Sequence, residues 1–169
     1  MIVTIISGQH PMNERKSRYI LHWIGQLSKI RPELGNFAIC PYASKANYNI
    51  VEEKLCQIVP NPDYDVTIYV VEDDISAQFL YDAVDDYNRN YSDYKFIADH
   101  GKTKTYIQGI QTSNGFFNLV LCQPRKELTE ARKKLAKTNY YDYWDKDYLE
   151  EVLEEDYKVV EIHIEPELG

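Results

Sequence analysis

The stretch Val66-Thr67-Ile68-Tyr69-Val70-Val71, followed by Glu72-Asp73-Asp74, Ser76 and the spaced apolar residues Phe79, Leu80, Ala83, Val84 and Tyr87, decides how the fold is read. A six-residue run that is apolar on both faces is expected of a strand covered on both sides of a sheet. Asp74 or Ser76 then supplies the side-chain oxygen that opens a helix, and the three- and four-residue steps after it give that helix one apolar stripe.

Working outward toward the C-terminus, Tyr94–Ala98 reads as a strand and Thr105–Gln111 as a strand or its continuation. Thr112-Ser113-Asn114-Gly115 reads as a hairpin turn, because Asn-Gly tolerates positive φ. Phe116–Leu121 reads as the returning strand. Pro124 leads into a helix carrying Leu128, Ala131, Arg132 and Leu135, and Asp145 or Asp147 caps a further helix with Tyr148, Leu149, Val152 and Leu153. Val159–Ile164 closes the series, with Val160, Ile162 and Ile164 alternating onto one face. The order is strand, helix, strand, strand, helix, strand, which predicts an α+β protein with a ferredoxin-like βαββαβ sheet over 66–165.

Toward the N-terminus, Ile2–Ile6 reads as a short strand. Asn13 caps a helix over Glu14–Arg31 whose stripe is Tyr19, Ile20, Trp23, Ile24, Leu27 and Ile30, ended by Pro32 and Gly35. A loop over Leu34–Ala43 and a strand or short helix over Asn49–Val59 follow, before the break at Pro60-Asn61-Pro62-Asp63. Residues 1–59 are thus an added strand, helix and loop on one domain of 169 residues.

Composition agrees with one folded unit. At 44% hydrophobic and 27% charged residues, with 7 Gly and 7 Pro, the chain is neither collagenous nor a low-complexity tract. Three cysteines without a CxxC pair argue against a disulfide framework or a Cys-rich zinc site. The run Met1–Gly8 lacks a leading base and is shorter than a signal peptide, so a soluble, cytoplasmic protein without a membrane segment is expected. Charge is uneven: residues 140–169 hold 11 acids and two lysines, while the preceding 139 residues nearly balance. The total of −8 opposes binding to nucleic-acid phosphates or anionic lipid.

Chemistry is carried by few residues. Cys40 lies in Ala38-Ile39-Cys40-Pro41-Tyr42-Ala43, and Cys-Pro-Tyr resembles the start of the glutaredoxin motif. That resemblance implies a thiol activated by a helix N-terminus, with Lys45 as a nearby cation. Trp23 in the first helix, Ile39–Ala43 in the loop and the strand and helix from Val66 also resemble a bacterial family of uncharacterised proteins with a Leu-Cys-Pro-Phe-Ala loop, which implies a β/α remainder and no particular activity. Asp99-His100-Gly101 is a candidate general base with its orienting acid. Successive side chains on an extended segment point to opposite sides, so a solvated loop histidine is the plainer reading. His10, His22, His100 and His163 have no paired metal-ligand spacing, and neither a glycine-rich phosphate loop nor a serine elbow is present. Glu72-Asp73-Asp74 suits a divalent cation or, more simply, a helix start.

No cofactor or metal is expected. Fifteen tyrosines are unusual, and Tyr140, Tyr141, Tyr143, Trp144, Asp145, Asp147 and Tyr148 form an aromatic, acidic segment. Tyrosine joins a large apolar face to a wet hydroxyl, so the segment is either a loop between two helices whose rings pack on the core or a surface that binds a protein partner or a second copy of the chain. The binding surface is the expectation, with an exposed sheet edge as the other contact. The alternative is a thiol-dependent enzyme or monothiol redox protein with Cys40 as nucleophile and His100 as base.

Overall fold

A computed structural model of the chain describes residues 2–5, 14–144, 146, 149 and 150. Its main sheet has five strands, β1 (Ile2–Ile5), β2 (Asn47–Glu52), β3 (Val66–Val70), β4 (Tyr94–Asp99) and β7 (Leu119–Pro124), in the order β1-β2-β3-β7-β4. β1, β2 and β3 run parallel, whereas β7 is antiparallel to both β3 and β4. The α+β class is therefore seen, in a mixed sheet.

β3 is buried at every position because both of its faces are covered. Val66, Ile68 and Val70 pack with Ile20, Trp23 and Ile24 of α1 (Glu14–Ser28), while Tyr69 and Val71 pack with Leu80 and Val84 of α2 (Ala77–Asn90) on the opposite face. The continuous apolar run has this cause. α2 begins where Ser76 Oγ accepts a hydrogen bond from the Phe79 N–H at 3.1 Å, so Ser76 is the cap and the acids before it are not. Its stripe buries Leu80 and Val84, but Phe79 is 59% exposed, since it sits one residue, about 100° of helix, off the inward line.

β3, β7 and β4 share the arrangement of the first three strands expected for a ferredoxin-like sheet, two parallel strands flanking an antiparallel one. The place beside β3 which that order reserves for the last strand is held instead by β2, parallel to β3. The expected strand Val159–Ile164, the helix residues Val152 and Leu153, the cap Asn13 and the loop from Ser7 to His10 lie outside the described residues.

Three local readings need correction. α1 ends at Ser28 rather than Arg31, because the Leu27 carbonyl accepts from the Cys40 N–H at 2.9 Å and Arg31 bridges to Phe37 around Gly35 and Asn36, both at positive φ. The tight hairpin lies earlier than Asn114-Gly115: β5 (Tyr106–Ile107) and β6 (Ile110–Gln111) turn at Gln108 and Gly109, whose φ of 50° and 78° supply the two positive values a primed turn requires. β7 starts at Leu119, not Phe116, because the N–H groups of Phe116 and Phe117 are taken by the Asn114 side chain. The segment read as strand or short helix is both, β2 and then a 3-10 turn over Leu55–Gln57.

The β4 edge is closed rather than open. Asn88 of α2 accepts from the Phe96 N–H at 2.7 Å and donates to the Phe96 carbonyl at 2.9 Å, and the Arg125 guanidinium donates to the Tyr94 carbonyl at 3.1 Å. These outward-facing groups would otherwise template a further strand, so β4 is a poor place for strand addition. α3 (Arg125–Ala136) follows β7 directly and leads into a 3-10 turn over Tyr140–Tyr143.

Candidate functional site

β1, β2, β3 and β4 all point one way, so the sheet has an amino edge and a carboxyl edge. Cys40 is at the amino edge. It precedes β2, packs with the α1 cluster and is followed by turns over Pro41–Lys45, not by a helix. Its thiol is pushed up by burial, against smaller opposing effects of the Tyr42 and Ala43 N–H groups. A raised pKa leaves little thiolate at neutral pH.

His100 is at the carboxyl edge, immediately after β4. Its Nε2 lies 2.8 Å from the Ile75 carbonyl, which makes that nitrogen the protonated one, and Nδ1 accepts from the Lys102 N–H at 3.2 Å. Both ring nitrogens are spent on backbone, and the ring is 5% exposed. The length of β2 and β4 separates Cys40 from His100, so the structure does not assemble the nucleophile and base pair. Nor does Asp99 orient His100: its carboxylate turns to the other side, as neighbours on a strand do, and accepts from the Asn114 N–H at 3.0 Å and Asn114 Nδ2 at 2.8 Å. Burial raises the Asp99 carboxyl, partly offset by these two hydrogen bonds and by His100.

Two carboxamides organise this edge. Asn114 Oδ1 accepts from the Phe116 and Phe117 N–H groups at 3.0 and 2.6 Å, and Asn114 Nδ2 also reaches the Phe117 carbonyl at 2.9 Å. Asn118 Oδ1 accepts from Gly101 N at 2.9 Å, and its Nδ2 donates to the Glu72 carbonyl at 2.9 Å. Gly101 is needed for close approach, since a Cβ there would lie 2.3 Å from the Phe116 carbonyl oxygen. Above this network is a hollow of about 150 Å³ lined by Asp73, His100, Gly101, Lys102, Phe116, Phe117 and Asn118. A shallower hollow shares Asp73 and runs past Glu72, Glu53, Glu52 and Lys16. The crevice beyond the carboxyl ends of parallel strands is where open α/β sheets place their ligands.

Glu72, Asp73 and Asp74 are exposed, and Glu72 Oε1 accepts from the Leu55 N–H at 2.7 Å instead of joining a ligand set. Among the described residues no group of three or more His, Cys, Asp or Glu side chains stands ready to hold a metal ion. No helix among them is long and apolar enough to cross a membrane.

The aromatic segment docks on the chain itself. Tyr140 is 5% exposed, donates its hydroxyl to the Ile39 carbonyl and packs edge-on against Phe37. The Tyr143 ring covers Gly35, where a Cβ would come within 2.8 Å of it, and the Tyr143 carbonyl accepts from Gln108. Tyr141 and Trp144 stack edge to face at 5.2 Å and remain half-buried. Tyr140 is thus a core residue rather than a contact residue, while Asp145, Asp147 and Tyr148 lie outside the described residues.

Compared with known protein families, curated proteins and solved structures, the chain matches none. The two resemblances of the Cys40 loop rest on the residues quoted for them.

Proposed function

We propose that the chain acts by binding a protein partner with a basic surface, through the ridge formed by Tyr141, Tyr143 and Trp144 and the acids around them. The observation that supports this most is the anchoring of Tyr140: its buried ring and hydroxyl hold the turn in one pose, so that Tyr141 and Trp144 present fixed, half-buried rings at little entropic cost. Fixed Tyr and Trp side chains are the usual energetic centres of protein interfaces, and the surplus of acids over residues 140–169 selects a basic partner. The thiol alternative is not favoured, because Cys40 and His100 occupy opposite edges of the sheet.

The test is site-directed photo-crosslinking from Asp142, which is exposed beside the ridge, with Asp82 of α2 as an exposed control position away from it. One discrete basic protein should be captured from Asp142 and not from Asp82, and its capture should fail above about 0.5 M salt, where exposed charges are screened. Tyr141→Ala with Trp144→Ala should abolish capture while the far-ultraviolet circular dichroism stays unchanged. Capture that survives the double substitution, or no discrete species at all, overturns the reading.

A further inference from the structure

We propose that the hollow beneath Phe116 receives a guanidinium or alkylammonium group, held between the Phe116 ring and the Asp73 carboxylate. The residues differ from those of the aromatic ridge, so this inference stands or falls separately. The chain already shows the binding mode once. The Lys16 ammonium lies 5.8 Å from the centroid of the Phe117 ring and 3.1 Å from Glu52 Oε1, a cation between an aromatic face and a carboxylate. The next hollow along the same edge offers a second ring, Phe116, and a second carboxylate, Asp73.

Phe116 is 68% exposed, yet it is not loosely held. Asn114 fixes its N–H, and its ring rests on Phe117 at 4.8 Å and Tyr19 at 5.4 Å. An apolar ring kept in place at the rim of a hollow that also holds a carboxylate is preorganised for a ligand with a flat or compact cationic head. The floor cannot select an anion, because Asn118, both nitrogens of His100 and the Gly101 N–H are all engaged internally. Selection therefore falls to the exposed groups at the mouth, Asp73 in favour of a cation and Lys102 against it. A volume of about 150 Å³ admits such a head with its last methylenes and not a larger ring system.

Titration of the ¹⁵N-labelled full chain with N-acetylarginine amide, followed by amide shifts at Gly101, Lys102 and Phe116, tests this directly. Saturable shifts in the millimolar range are expected, with none from the neutral isostere N-acetylcitrulline amide. Asp73→Asn and Phe116→Leu, both at exposed positions, should each weaken binding about five- to tenfold, consistent with a surface cation–π and ion-pair contact. Lys102→Met should strengthen it, by removal of a like charge. An arginine-bearing peptide that binds at least tenfold more tightly than the amide identifies the source of the cation as a polypeptide; equal affinities identify a small free cation. Equal shifts with citrulline, or binding unaltered by all three substitutions, overturn the proposal.

Discussion

The two edges of the sheet are filled by opposite means. At the amino edge, the loop through Cys40 is closed by apolar packing: Ala43, Tyr48 and α1 on one side, and Tyr140 bonded to Ile39 on the other. At the carboxyl edge, space is filled by Asp99, His100 and Asn118, each tied to backbone of a distant segment, and by Asn114, which ties the Asp99 carboxylate to the loop through Phe116 and Phe117. The residue with the most familiar chemistry, Cys40, is thus in the chemically quiet region. Two asparagines, Asn114 known from the sequence only as part of a turn and Asn118 part of no motif, shape the region with the hollow. Burial of polar groups at one edge is tolerated because nearly every one is paired, and that pairing makes the edge sensitive to single substitutions.

The largest break in this comparison is expected from Asn114→Ala. The substitution leaves the Phe116 and Phe117 N–H groups and the Phe117 carbonyl without their side-chain partner, while the Asp99 carboxylate keeps only the backbone N–H of residue 114. Buried groups left unsatisfied cost about 1–3 kcal/mol each, so a loss of about 3 kcal/mol is expected, or about 6–12 °C in Tm for a chain of this size. Differential scanning calorimetry measures it. A shift below about 2 °C would mean that the network does not hold the edge together. Alanine at the exposed Ser44, in the amino-edge loop, should leave Tm within about 1 °C.

A smaller and pH-dependent effect is expected at Asp99. Burial raises its pKa above the ordinary 3.8, so the folded chain binds this proton more tightly than the unfolded chain does. The stabilising contribution is therefore complete below pH 3.8 and is lost as the pH rises through the raised folded value. Asp99→Asn keeps an oxygen for the two Asn114 donors and removes the charge. Urea denaturation of both proteins should show the variant gaining on the parent between pH 4 and pH 7. Parallel stability curves across that range would show that the Asp99 carboxylate is not disfavoured by its burial.

Much of the scaffold was legible from local pattern. The double-faced apolar run at Val66–Val71 marks a central strand, Ser76 is one of the two caps the sequence offers, and the stripe at Ile20, Trp23 and Ile24 marks the inner face of α1. What local pattern does not contain is pairing between distant segments. Nothing in Asn49–Val59 distinguishes a strand from a short helix, so local pattern does not reveal that β2 lies parallel beside β3. Beside Gly115, Asn114 presents in sequence only a turn signal, whereas its role comes from Asp99, 15 residues away, and from the loop that its amide folds back. Asn118 carried no signal at all, since its partners Gly101 and Glu72 meet it only in the fold. Composition alone leaves open whether Tyr140 and its aromatic neighbours pack on the core or meet a partner; contact with Ile39, 101 residues away, puts Tyr140 in the core.

The mildest test concerns the amino edge and the thiol set aside there. Cys56 is exposed, Cys40 is half-buried and Cys122 is buried, with burial pushing the Cys122 thiol up to about 12 and the Cys40 thiol also upward. Alkylation requires both thiolate and access, so Cys56 should react first with iodoacetamide at pH 7, and Cys40 and Cys122 at least tenfold more slowly. Raising the pH should speed Cys40, because more of it ionises as the pH approaches its raised value. Cys40→Ser should then leave the Asp142 crosslink and the arginine-amide titration unaltered, since neither surface touches the Cys40 loop through sulfur. Preferential labelling of Cys40 at pH 6 would reverse the contrast between the edges: the apolar loop would hold an activated thiolate, and its packing against α1 would have to be read as the wall of a reactive site.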